Sequence, residues 1–161
     1  MRTLPPQQYV TFVCTGNTCR SPMAAALLSH ALKAEKEPLR SLAVVSAGLS
    51  VLGGEPASPN AVLALGKVSI PLGGHRSRQL TQEMLDGSLA VFAMTQSHLA
   101  TLRACYRPFP AAPLLMRALM ARPCNLELLD PYGQGVSVYE ACRDNMVEAI
   151  PSIIAHLRGL V

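Results

Sequence analysis

The stretch YVTFVCTGNTCRSPMAAAL, residues 9 to 27, sets Cys14, Cys19 and Arg20 within seven residues of one another. A thiol is a strong nucleophile once it has lost its proton, and a guanidinium fork matches two oxygens of a tetrahedral oxyanion. Between them stand Gly16 and Asn17, residues that let a chain curl until successive backbone N–H groups face one point. Such a curl at a helix N-terminus forms an anion-binding nest, here with Cys14 at its floor and Arg20 closing the ring. The positive potential predicts a lowered thiol pKa and a thiolate near neutral pH. The chemistry implied is nucleophilic attack on a bound phosphoryl group.

A bare Cys-x5-Arg spacing arises easily by chance, so the elements around it carry the argument. Residues 9 to 13 read as a buried strand, and residues 22 to 35 as a helix with Ser21 as N-cap and Pro22 in its first turn. Further strands are predicted at 42 to 46, 89 to 94 and 112 to 116. Helices are predicted near 57 to 66, with Ser58 as cap and Pro59 at its start, over QEML after Thr81, and at 97 to 104. Apolar residues at 139, 146, 147, 150, 153, 154 and 157 keep a helical period across 137 to 157, with Pro151 expected to kink or split that helix. Alternating strands and helices predict an α/β fold, a three-layer α/β/α arrangement around a mainly parallel four-stranded sheet. Ligands in such folds gather where strands end and helices begin, which is where residues 14 to 21 fall.

Composition narrows the classes. The 161 residues suit a single domain spanning 1 to 161, half of them apolar, with no run near the ~18 to 20 apolar residues of a membrane span. The opening MRTLPPQQ lacks an apolar signal core, so a cytoplasmic protein is expected. A net charge of +4 without a basic block or interleaved aromatics argues against nucleic acid as partner. Five cysteines, an odd number, with no C-x-x-C pair and four scattered histidines, argue for free thiols rather than disulfides or a metal site. No cofactor is expected.

VCTGNTCRSP resembles the signature of the low-molecular-weight protein tyrosine phosphatases, V-C-x-G-N-x-C-R-S-P, at every fixed position. The likeness continues in VVSAGL at 44 to 49, GHRSRQL at 74 to 80 and LLDPYGQG at 128 to 135. The resemblance implies that Cys14 is the nucleophile, Arg20 binds phosphate and Asp130 is the general acid. It makes Thr15, Gly16, Asn17, Thr18, Cys19 and Arg20 the phosphate loop, and Asn17, Ser21, Ser46 and His75 a polar network behind it. Cys19, near Cys14 in the curled loop, could trap an oxidised nucleophile as a disulfide. Ala25 and Leu89 depart from the family, which commonly has acidic residues there.

Substrate choice rests on few positions. The tyrosine-specific branch usually has an aliphatic residue where Thr18 stands, so the loop looks more like that of the protein arginine phosphatases. Tyr132 pulls towards phosphotyrosine, since an aromatic ring can stack on a phenyl ester. GLSVLGG at 48 to 54 has no aromatic wall, leaving Leu49, Val51 or Leu52 to line the pocket. The expected partners are a phosphorylated protein as substrate and inorganic phosphate as product, without nucleic acid or membrane. Two other readings stand beside these. A thiol-dependent arsenate reductase needs two further cysteines close in sequence, whereas Cys105 and Cys124 are nineteen apart. A phosphoprotein-binding module without turnover would be favoured by loss of Cys14, Arg20 or Asp130, all of which are present.

Overall fold

In the first strand, β1 (Tyr9–Cys14), side chains alternate between two buried faces, the pattern of a central strand. Val10, Phe12 and Cys14 turn to one side, and Val13 to the other. The computed structural model describes residues 9–121 and 125–161, so the N-terminal segment and Cys124 lie outside it. On one flank β1 pairs in parallel with β2 (Ala43–Gly48), and on the other with β3 (Ser88–Ala93), which in turn pairs with β4 (Leu114–Leu115). The strand order is β2-β1-β3-β4, all parallel.

The helices cover both faces, giving the three layers expected. α1 (Arg20–Leu32), α2 (Pro59–Gly66) and α5 (Val136–Arg158) bury their apolar sides against Val10, Phe12, Ala90 and Phe92. Phe12 and Phe92, adjacent in register, stack with centroids 5.5 Å apart. α3 (Gln82–Asp86) and α4 (Gln96–Cys105) close the other face over Val13, Val91 and Ala93. Thr81 caps α3 by accepting from Met84 N, as its position predicts.

Three local expectations are corrected. α1 begins at Arg20 with Cys19 as N-cap, and Ser21 lies inside the helix with its hydroxyl engaged elsewhere. Ser58 precedes α2 and Pro59 opens it, yet the Ser58 side chain meets Cys19 instead of capping. Pro151 does not split α5, which runs through it as one helix of 23 residues. The proline sits on the exposed face, while Ile150, Ile153, Ile154 and Leu157 pack inward, and this burial outweighs one missing N–H bond. Among the described residues no helix is long and apolar enough to cross a membrane.

Candidate active site

β1 delivers Cys14 to the sheet edge beside Gly48, the last residue of β2. Chain packing there is tight: a Cβ on Gly48 would lie 2.5 Å from the Thr15 carbonyl oxygen and would collide with Val51. Only glycine lets the end of β2 approach the loop that follows Cys14. That loop turns at Asn17, whose φ of 56° is the left-handed conformation that asparagine tolerates better than most residues. Gly16, expected to relieve the curl, has no positive φ, and a Cβ there would meet nothing closer than Thr18 Oγ1 at 3.9 Å.

Buried Asn17 is the hub of the site. Its Nδ2 donates to Ser21 Oγ at 2.8 Å and Ser46 Oγ at 3.0 Å, while its Oδ1 accepts from Arg78 N at 3.0 Å. His75 Nε2 lies 2.6 Å from the Asn17 carbonyl oxygen. Asn17, Ser21, Ser46 and His75 are thus one network, with Arg78 added to the residues the sequence singled out. Ser21 Oγ ends the chain of contacts 2.9 Å from Cys14 Sγ.

The Cys14 thiol itself departs from expectation. Burial pushes its pKa above the ordinary value, and this outweighs the Ser21 hydroxyl and N–H, the Arg20 guanidinium and the Asn17 N–H, which all pull it down. A sequence shows the donors of a nest but not the depth at which the sulfur sits. Burial also lowers His75, with Arg78 and Arg76 acting in the same direction.

Arg20 is buried at the start of α1. Its Nη1 donates to the Leu128 carbonyl at 3.0 Å, and its Nη2 lies 3.5 Å from Asp130 Oδ2. Its Nε is buried with no partner among the described residues, a donor that a phosphate oxygen in the pocket would satisfy. The first turn of α1 contains no acidic side chain to compete for its free N–H groups. Asp130 is half-exposed and accepts from Tyr132 N at 3.1 Å, so it both starts a turn and faces Arg20.

These groups line a pocket of about 260 Å³ with Cys14, Thr15, Gly16, Thr18, Cys19 and Arg20 at its floor and wall. Asp130, Tyr132, Ser50, Leu52 and Glu55 form the rest. Leu52, 95 % exposed, is therefore the aliphatic wall; Leu49 instead packs against the second face of the sheet, beside Val13 and Ala47, and is not part of the lining. Thr18 is half-buried, its carbonyl accepting from Ser58 N at 2.8 Å. Among the described residues its hydroxyl has one hydrogen-bond contact, with Cys19 Sγ at 3.8 Å.

Cys19 is buried, with Ser58 Oγ at 2.9 Å and Tyr139 OH at 3.3 Å. It and Cys14 are both free thiols. Cys105, exposed at the end of α4, and Cys142, buried in α5, are outside the pocket lining. Sequence reasoning missed His98. Its Nε2 lies 2.9 Å from Thr15 Oγ1, and burial, with help from Arg20, lowers its pKa to about 4. A lone histidine in a helix 83 residues from its partner gave no signal of this.

The family model described as low molecular weight phosphotyrosine protein phosphatase matches residues 9–159. A protein-arginine-phosphatase of Geobacillus stearothermophilus is 36% identical over 151 residues, 92% of this chain and 95% of that protein. One of Bacillus subtilis (strain 168) is 34% identical over 149 residues, covering 92% and 96%. The crystal structure of a low molecular weight protein tyrosine phosphatase from T. tengcongensis superposes with a TM-score of 0.83 at 33% identity, covering 92% of this chain and 98% of that one. With the signature loop folded around one pocket and the match running through the whole sheet, the chain belongs to the low-molecular-weight phosphotyrosine protein phosphatase family and is a cysteine-dependent protein phosphatase.

Proposed function

We propose that this phosphatase, working as one domain, removes phosphoryl groups from phosphoarginine in proteins. The observation that carries the choice is the Thr18 hydroxyl: it belongs to a residue of the pocket lining, its one contact among the described residues is the long one to Cys19 Sγ, and it can bond a guanidinium N–H. The two protein-arginine-phosphatase relatives support the same reading. Tyr132, 71 % exposed on the pocket rim, favours phosphotyrosine as the second reading, because it can stack on a substrate ring.

In the proposed reaction, Cys14 Sγ, having given its proton to solvent, attacks phosphorus as the thiolate, opposite the leaving nitrogen. The S–P bond forms as the P–N bond breaks, and the Asp130 carboxyl delivers a proton to that nitrogen. Arg20 and the loop N–H groups hold the equatorial oxygens as charge shifts. Water then attacks phosphorus, Asp130 takes its proton, and the S–P bond breaks to release phosphate and the Cys14 thiolate. We assign this work to the cytoplasm, a reducing compartment suited to an enzyme that depends on a free thiol.

Steady-state kcat/KM for phosphoarginine and phosphotyrosine substrates on one preparation tests the reading. The expected result is a preference for phosphoarginine that Thr18→Ile reduces about ten- to a hundredfold, the scale of losing a polar contact in a pocket. Cys14→Ser should abolish turnover of both. A wild-type preference for phosphotyrosine that Thr18→Ile leaves unmoved overturns the arginine assignment.

A further inference from the structure

Glu55 is one of two acidic residues, with Asp130, among those lining the pocket that holds Cys14 and Arg20. Its backbone is held on both sides by buried Ser77: Glu55 N donates to Ser77 Oγ at 2.9 Å, and Ser77 N donates to the Glu55 carbonyl at 2.7 Å. The Ser77 carbonyl also accepts from Gly54 N at 2.9 Å, fixing the turn made by Gly53 and Gly54, both at positive φ. The main chain is anchored and the residue is exposed, and among the described residues its carboxylate makes no ion pair or side-chain hydrogen bond.

A negative charge here opposes a phosphate dianion on the loop. Asp130, the other carboxylate of the lining, is 3.5 Å from Arg20 and has a proton to deliver; Glu55 has neither partner nor such a duty. Its place makes sense if the substrate carries a positive charge and N–H donors next to its phosphoryl group. Phosphoarginine does both, since its guanidinium stays cationic and keeps N–H groups on the unphosphorylated nitrogens. A tyrosine ester offers neither.

We propose that Glu55 is a specificity-determining residue that receives the guanidinium of the substrate, an inference that rests on the phosphoarginine reading. The same carboxylate chemistry could be met by a lysine or arginine flanking the phosphorylated residue, so the test separates the two sources. Wild type, Glu55→Gln and Glu55→Asp are compared on free phosphoarginine, free phosphotyrosine and a phosphotyrosine peptide with a basic neighbour.

Glu55→Gln should lower the phosphoarginine-to-phosphotyrosine ratio of kcat/KM by about tenfold, the scale of a charge-assisted hydrogen bond. Glu55→Asp should restore part of it. Inhibition by inorganic phosphate should tighten in Glu55→Gln, because a repulsion is removed, whereas a damaged pocket would weaken it. A wild-type preference for phosphoarginine with a ratio that Glu55→Gln does not move overturns the role of Glu55 and leaves the phosphoarginine reading standing. Loss confined to the basic phosphotyrosine peptide also overturns it, assigning Glu55 to a flanking cation. A wild-type preference for phosphotyrosine removes the phosphoarginine reading and the inference with it.

Discussion

Ser21 Oγ stands 2.9 Å from Cys14 Sγ and at the same time accepts a hydrogen bond from Asn17 Nδ2 at 2.8 Å. Ser21, inside the first turn of α1, thereby links the nucleophile to the network that shapes its loop. Burial raises the Cys14 pKa, and the Ser21 hydroxyl is first among the groups that pull it back.

Ser21→Ala therefore shifts Cys14 deprotonation to still higher pH. The rate of iodoacetamide alkylation, followed from about pH 7 to 10 without phosphate, should rise later in the variant than in wild type. At a fixed pH near 8 the variant reacts more slowly. Equal profiles would show that Ser21 leaves the thiolate unsupported.

Asp130→Ala should slow phosphoryl transfer by ~10² to 10⁴, the usual contribution of a general acid. The loss should be smallest for aryl phosphates whose leaving oxygen is weakly basic, because they need no proton. Rates across a leaving-group series give a steeper dependence in the variant. A uniform drop instead means that Asp130 only shapes the turn that holds Tyr132 N.

His98 makes stability sensitive to acid. Its pKa falls from 6.5 to about 4 in the folded state, chiefly through burial. Between those values the unfolded chain takes up a proton that the folded chain refuses, so stability falls as pH falls through this window. His98→Gln, which keeps a polar atom for Thr15, should flatten the decline of Tm between pH 6.5 and 4. Part of the slope remains, because His75 is lowered in the same direction. An unaltered slope would exclude His98 as a source of the acid sensitivity.

Gly48→Ala and Gly16→Ala should separate folding from binding. At Gly48 the new methyl meets the Thr15 backbone, and both Tm and phosphate affinity should drop, with a destabilisation of about 1–3 kcal/mol typical of overpacking. At Gly16 the methyl has space, with Thr18 Oγ1 nearest at 3.9 Å, and the residue lines the pocket, so Tm should hold while phosphate inhibition weakens. Differential scanning calorimetry and phosphate inhibition constants distinguish the two. A Tm loss at Gly16 equal to that at Gly48 would contradict this division.

The order of elements was legible because apolar runs and turn residues mark them locally, and each strand and helix lies within a few residues of its predicted span. The loop was legible too, since Cys14 to Ser21 are contiguous in the chain. What escaped depends on depth or on distant partners. The Cys14 pKa follows from how far the sulfur is buried, and His98 acquires meaning only when α4 is brought against the loop. Leu49 and Leu52 are three residues apart in one loop, and only its folded path decides which one turns into the core. Gly16 and Asn17 are both able to turn a chain, and the left-handed residue is the one whose side chain the network captures.

Arg20 reaches the Leu128 carbonyl across 108 residues, and Cys19 reaches Tyr139 across 120. Synthesis proceeds from the N-terminus, so the nucleophile leaves the ribosome long before the partners that enclose it. At the pace of translation, ~5 to 20 residues per second, this interval lasts several seconds to half a minute. During that time Arg20 lacks its Leu128 anchor and Cys19 lacks its contact with Tyr139 of α5. A site whose nucleophile is among the first residues made is thus completed by residues near the other end of the chain.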